Sequence, residues 1–148
     1  MQLRAILRSV LFVVGAAAVS GCGGDGPSLP ANVAGRYRLI SINGQPLPFA
    51  LPNTPAGTTA RITEGRLTIG DDGGFAQVLV FNTVTADPND QDGDTVSQTS
   101  GTVDVDGGTI RFEPRLEEGW SGMLMEGGLV YTRGAGGTPL QFAFMLEP

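Results

Sequence analysis

Residues 120–133 read WSGMLMEGGLVYTR, from Trp120 to Arg133, and this stretch decides the fold class. An apolar-alternating run, 120–125, meets Glu126-Gly127-Gly128 and is answered by a second run, 129–133. The pattern is that of a β-hairpin, because tight two-strand turns need positive φ and glycine supplies it without steric cost. The same grammar recurs twice upstream. Residues 102–105, Asp106-Gly107-Gly108 and 109–113 form one such unit, and 67–69, 70–74 and 75–85 form another.

Working outward, residues 37–43 alternate and end on Asn43-Gly44, a hairpin dipeptide. Residues 61–69 place Ile62, Leu67 and Ile69 around a break at Glu64-Gly65, and Leu140, Phe142, Phe144 and Leu146 share one face at period two. The proline-rich stretch 46–57 predicts a loop crossing one end of the fold. No run of about ten residues has helical periodicity, and glycine recurs at intervals that break helices. The expectation is an all-β domain of about eight short antiparallel strands. An up-and-down barrel and a two-sheet sandwich both satisfy that pattern. Closure removes the edges that short strands leave open, which favours the barrel.

Composition excludes much chemistry. The chain has no histidine, no lysine and a single cysteine, Cys22. Ser-His-Asp and Cys-His catalysis and the usual zinc sites therefore lack their residues, and the expectation is a non-enzymatic protein without a cofactor. Arg4 and Arg8 lie in the leading segment, which leaves seven arginines against fifteen acidic residues, a balance of −8. That sign opposes nucleic-acid binding and electrostatic docking on anionic lipid, so any membrane attachment must come from elsewhere.

The N-terminus supplies an attachment. Arg4 and Arg8 make a positive n-region, and the apolar run 10–19 has the dimensions of a signal-peptide h-region. It falls short of the ~20 apolar residues that a spanning helix needs. The run ends Val19-Ser20-Gly21-Cys22. This resembles the lipobox of bacterial lipoproteins, with valine where leucine is usual. The resemblance implies a signal peptide over 1–21, cleavage before Cys22, and acylation of the Cys22 thiol and of its new amino group. Ordinary secretion, with a small-x-small cleavage site at Ala18-Val19-Ser20, is the alternative. A lone thiol in an exported protein is accounted for by lipidation, and two or three acyl chains suffice for stable anchoring. Residues 22–32 then form the lipidated cysteine and a flexible Gly/Pro/Ser tether, and 33–148 form the domain. Gly23 after the cysteine, under the enterobacterial sorting rule, implies the periplasmic side of the outer membrane in a host with two membranes.

From Val33 onward the chain resembles the lipocalin-like (calycin) class. Gly35-Arg36-Tyr37 is similar to the Gly-x-Trp opening of lipocalins, and Leu39, Ser41 and Asn43-Gly44 lead into Pro46-Leu47-Pro48. Tyrosine stands where the family has tryptophan. The resemblance implies that Arg133 packs over the first strand's aromatic, Tyr37. A barrel of eight strands can hold one small ligand or be filled by side chains. Tyr37, Trp120, Phe142 and Phe144 are the candidate ligand-binding residues, with Trp120 foremost because a buried indole N–H needs a partner.

Other candidates have plainer readings. Residues 86–95 (ADPNDQDGDT) could gather oxygen ligands from Asp87, Asn89, Asp90, Asp92 and Asp94 around calcium. The EF-hand register fails, because placing Gly93 at the required glycine puts Pro88 at the first ligand position, and no glutamate closes the loop. The stretch reads as a solvated acidic loop. Glu117-Glu118 and Asp71-Asp72 are adjacent acids without the separation that glycoside hydrolysis needs. Arg36, Arg38, Arg61, Arg66 and Arg111 read as solvent-facing charge on strands. The expected function is a membrane-anchored exported lipoprotein binding a small apolar ligand or an envelope component. The alternative is a structural or interaction module of the envelope with a filled barrel. Cys22→Ser should abolish incorporation of labelled palmitate, and an unlabelled wild-type chain would overturn the anchor.

Overall fold

Alternation along the chain becomes a closed sheet in the computed structural model, which describes residues 33–86, 92–135 and 137–148. Ten β-strands follow one another: β1 (Gly35–Ile42), β2 (Gln45–Pro46), β3 (Phe49–Ala50), β4 (Thr58–Ile69), β5 (Gly74–Thr85), β6 (Gly93–Asp106), β7 (Thr109–Pro114), β8 (Trp120–Met125), β9 (Gly128–Ala135) and β10 (Thr138–Leu146). From β4 to β10 each strand pairs antiparallel with the next, β10 pairs with β1, and β1 pairs with β4. The result is a closed, up-and-down barrel of eight strands, with no helix among the described residues.

The turns form where glycine chemistry directs them. Gly107 and Gly108 sit at φ of 55° and 89° between β6 and β7, and Gly127 at 73° between β8 and β9. Asn43 and Gly44 take 51° and 74° after β1. Between β4 and β5 the Gly74 amide donates to Asp72 Oδ1 at 2.9 Å, so one of the adjacent acids closes a turn.

Strand alternation then sorts the two faces. Tyr37 and Leu39 on β1, Ile110 and Phe112 on β7, and Phe142 and Phe144 on β10 are all buried. Each such side chain contributes about 1.5–3 kcal/mol on full burial, and a one-residue slip would turn the whole set outward, so burial fixes the register. The outward side carries Arg38, Arg66, Asp104, Arg111 and Glu113, all exposed. That polarity is the reverse of a membrane-spanning barrel, whose lipid-facing side is apolar.

Closure at β1 is divided along its length. Residues 35–38 face 66–69 of β4, while residues 37–42 face 142–146 of β10, with a register irregularity between Leu39 and Ser41. Past Arg38 the β1–β4 ladder stops. β2 continues on the β1 side (Ile42 opposite Gln45) and β3 on the β4 side (Phe49 opposite Ile62). The expected loop at 46–57 is thus partly strand, and Pro46 and Phe49 lie in it. Phe49 is buried, Leu47 and Leu51 pack against the core, and the Leu47–Pro48 bond is cis. The stretch does reach across one end, where Asn53 Nδ2 donates to Thr138 Oγ1 at 2.9 Å. The break expected at Glu64-Gly65 is a register shift between Ile62 and Glu64 within one continuous strand.

β6 is longer than the sequence suggests. Its residues 93–100 pair with β5, but its ladder with β7 covers only 101–106. Residues 93–98 are exposed on every side chain. A strand without a buried alternate face gives no hydrophobic periodicity to read.

On the inner face, close approach of neighbouring backbone requires glycine at Gly101 and Gly122. A Cβ on Gly101 would land directly on the Glu113 carbonyl of β7, and one on Gly122 would meet the Val130 carbonyl at 2.5 Å. Gly134 has open space around it. Gly101→Ala should cost at least the upper end of the ~1–3 kcal/mol range for overpacked sites, whereas Gly134→Ala should stay within about 0.5 kcal/mol. Chemical denaturation of the two variants checks this.

Candidate functional site

Inward positions of β5, β6, β8 and β9 converge with the β7–β8 connection at one end of the barrel. Trp120 opens β8 and is buried. The Arg133 guanidinium lies over its ring, 4.6 Å from the centroid. Arg133 is ion-paired to Glu117, and Thr99 Oγ1 of β6 donates to the other Glu117 oxygen at 2.9 Å. A cation held over an indole face and charge-compensated beside it gains ~0.5–2 kcal/mol from the ring quadrupole. Thr99, Glu117 and Arg133 together form a polar clasp over Trp120.

Beneath this clasp lies a chain of aromatic rings. Trp120 stacks on Phe112 at 5.4 Å, and Phe75 meets both rings edge-on at 6.0 and 5.2 Å. Tyr131 stands 5.8 Å from Trp120 and stacks on Phe142 at 5.2 Å and Phe144 at 5.7 Å. These separations are contact distances for aromatic pairs, each contributing ~0.5–1.5 kcal/mol beyond area burial.

Among the described residues, one buried polar side chain interrupts this interior. Gln77 of β5 is 2% exposed, and its Nε2 donates to the Tyr131 hydroxyl across the barrel. Its Oε1, like Trp120 Nε1, is buried without a hydrogen-bond partner. An orphaned buried group costs about 1–3 kcal/mol, so these two atoms leave a polar demand unmet in the interior. Burial raises the Tyr131 phenol well above its ordinary 10.0, outweighing the lowering by the Gln77 hydrogen bond and the Arg133 charge.

Three of the four expected ligand-binding residues, Trp120, Phe142 and Phe144, meet through Tyr131. The fourth, Tyr37, lies toward the other end. It lines a small cavity with Val33, Leu124 and Leu146 beside the β8–β9 turn, and its hydroxyl donates to the Val33 carbonyl at 2.6 Å. Arg133 covers Trp120 and not Tyr37, because it stands at the end of β9 farther from that turn. Cys22 lies outside the described residues, as do Asp87, Asn89 and Asp90 of the acidic loop. Asp92 accepts from the Thr85 amide at 2.7 Å and Asp94 from Asn82 Nδ2 at 2.9 Å, so both bind the neighbouring strand. Among the described residues no group of three or more Asp and Glu side chains could hold a metal ion.

Gln77 and Tyr131 are the residues that sequence reading misses. Gln77 had a signal, since it stands between Phe75 and Leu79 on the apolar part of its face, which runs on to Phe81. Tyr131 shares an inward face with Leu129 at period two.

No protein family, curated protein or solved structure matches this chain. The class it belongs to is defined by architecture alone, a closed eight-stranded antiparallel barrel.

Tyr131→Phe should cost about 1–3 kcal/mol at neutral pH by leaving Gln77 unpaired, and adding Gln77→Met should restore most of it. The wild-type barrel should keep the Tyr131 contribution below pH 10.0, the ordinary tyrosine value, and lose it as pH rises from there toward the raised folded value. Denaturation curves across that window should show the loss in wild type and a flatter response in the double variant.

Proposed function

We propose that the protein is an exported lipoprotein, acylated at Cys22, whose lipocalin-like barrel is a non-enzymatic module of the cell envelope that works through its surfaces. The observation that carries the reading of the barrel is the unbroken run of ring contacts from Phe75 through Phe112, Trp120 and Tyr131 to Phe142 and Phe144. Interiors packed at contact distance behave as cores, and a small barrel can be filled in this way. The lipobox-like Val19-Ser20-Gly21-Cys22 supports the anchor. The meander of β4 to β10 closed by β1, with inward Tyr37 in Gly35-Arg36-Tyr37, supports the lipocalin-like reading. With glycine at position 23, the membrane proposed is the outer one, on its periplasmic side, in a host that has two.

A second reading retains a small ligand. It rests on Gln77 Oε1 and Trp120 Nε1, an acceptor and a donor left unpaired beside Tyr131 and under the Arg133 clasp. A guest admitted by displacement of Arg133 would satisfy both atoms and lay its apolar part against Trp120 and the Phe142/Phe144 rings.

Native mass spectrometry of the mature protein after exposure to a bacterial lipid extract separates the readings. The filled barrel predicts the acylated protein's own mass and nothing added. A stoichiometric added mass, lost in both Trp120→Ala and Arg133→Ala, would overturn it in favour of a carrier and give the ligand's class.

A further inference from the structure

Every methionine after Met1 lies on one outward patch of the barrel. Met123 and Met125 alternate outward on β8 and Met145 does so on β10, with exposures of 68%, 61% and 49%. Cross-strand register arranges them in two rows. Met123 stands opposite Val130, which stands opposite Ala143, and the bulged Ile40 of β1 lies alongside, 38% exposed. Met125 stands opposite Gly128, Gly128 opposite Met145, and Met145 opposite Arg38. The groove along this face, lined by Met123, Met125, Val130 and Gln141 among others, has a volume of about 530 Å³. Long, polarisable side chains around a groove suit a deformable apolar partner.

Two further observations say what covers it. The face adjoins the point where the chain enters the barrel, since Val33 and Met125 line the same small cavity beside the β8–β9 turn. From Cys22 to Val33 there are eleven residue steps, which span at most ~40 Å even when fully extended. An anchor at Cys22 therefore keeps this face within reach of the bilayer.

Charge then selects the side of the barrel. The entry end is ringed by Asp71, Asp72, Asp106, Glu126 and Glu147, all outside the buried core. Standing on that end would press these carboxylates against lipid phosphates. Arg36 and Arg38 are exposed on β1 beside Met145, and among the described residues the recorded ion pairs engage only Arg66 and Arg133. With Glu126 and Glu147 at its rim, the methionine face is near neutral locally, although the whole domain is strongly acidic. Guanidinium groups next to exposed apolar side chains are the arrangement of an interfacial membrane surface.

We propose that the barrel lies on its side on the bilayer, with Met123, Met125, Met145 and Ile40 at the headgroup–acyl boundary and Arg36 and Arg38 at the phosphates. This rests on the Cys22 anchor proposed above. The test uses the full chain, processed by its host and reconstituted in vesicles of phosphatidylethanolamine, phosphatidylglycerol and brominated phosphatidylcholine. Acylation of Cys22 leaves an introduced cysteine as the only free thiol, so Met125→Cys and, on the opposite side of the barrel, Ala76→Cys are each labelled with an environment-sensitive fluorophore. The label at 125 should lose most of its emission to the brominated lipid and the label at 76 should lose none. Equal behaviour of the two labels on acylated protein would overturn the side-on orientation. A disulfide-linked dimer formed through position 125 would also overturn it, by assigning the face to a second copy. Mass analysis of the N-terminal peptide keeps the two ideas apart: missing acyl mass sinks the anchor, and selective quenching at 125 when both labelled variants are remade with Cys22→Ser, so that no second thiol takes label, still supports the face.

Discussion

Tyr37 and Arg38 are laddered on both sides at once, to Leu146 and Met145 of β10 and to Leu67 and Arg66 of β4. Closure of the barrel rests on these two residues. On one side of them β1 belongs to β4, and on the other it belongs to β10, so they are the overlap that makes a ring from a curled sheet. Without it, β4 and β10 would present long unpaired edges, and the rings gathered in the interior would lose one wall. The buried Tyr37 ring and its hydrogen bond to Val33 hold the overlap from the inside. Gly35, at φ 157°, lets Leu146 close over the entry end where a Cβ would stand in its way.

The local parts of this architecture were legible and the non-local parts were not. Asp106-Gly107-Gly108 and Glu126-Gly127-Gly128 announce hairpins because their φ values are written into residue type. The inward faces of β7 and β10 are legible for a similar reason, as period two survives in Ile110-x-Phe112 and Leu140-x-Phe142-x-Phe144. Nothing local tells β1 to find β4 across the 43–57 stretch, or tells Phe49 to fill the split seam. The Gln77–Tyr131 bond joins residues 54 positions apart, a pairing that alternation cannot express. The clustering of three methionines is likewise invisible until the register of β8, β9, β10 and β1 sets them side by side.

The interior and the exterior obey different rules. Inside, dispersion between rings at contact distance dominates, and among the described residues the Gln77–Tyr131 amide–phenol bond crosses between the fully buried side chains, so the core is specific in shape but incompletely satisfied at Gln77 Oε1 and Trp120 Nε1. Outside, net charge describes the molecule poorly. Acids concentrate at the turns, while Arg36, Arg38 and Arg66 follow one another across the β1–β4 seam. A global excess of negative charge favours solubility, yet it does not fix the sign of any one face.

The division of β1 between β4 and β10 also sets an order of events. A chain emerging from a ribosome or a translocation pore with its amino end leading can ladder β1 to β4 once residue 69 has appeared, and can add β5 to β9 by hairpins as each arrives. The β10 edge is delivered after every other described strand, and its partner is the first of them. Until then the β10-facing edge of β1, from Tyr37 to Ile42, and the outer edge of the newest strand both stand open, so the growing sheet is an unsealed cylinder throughout its emergence. Long-range closure of this kind is slow relative to hairpin formation. The vulnerable interval for this barrel is therefore the wait for β10, when aromatic side chains destined for the interior are still reachable from the seam.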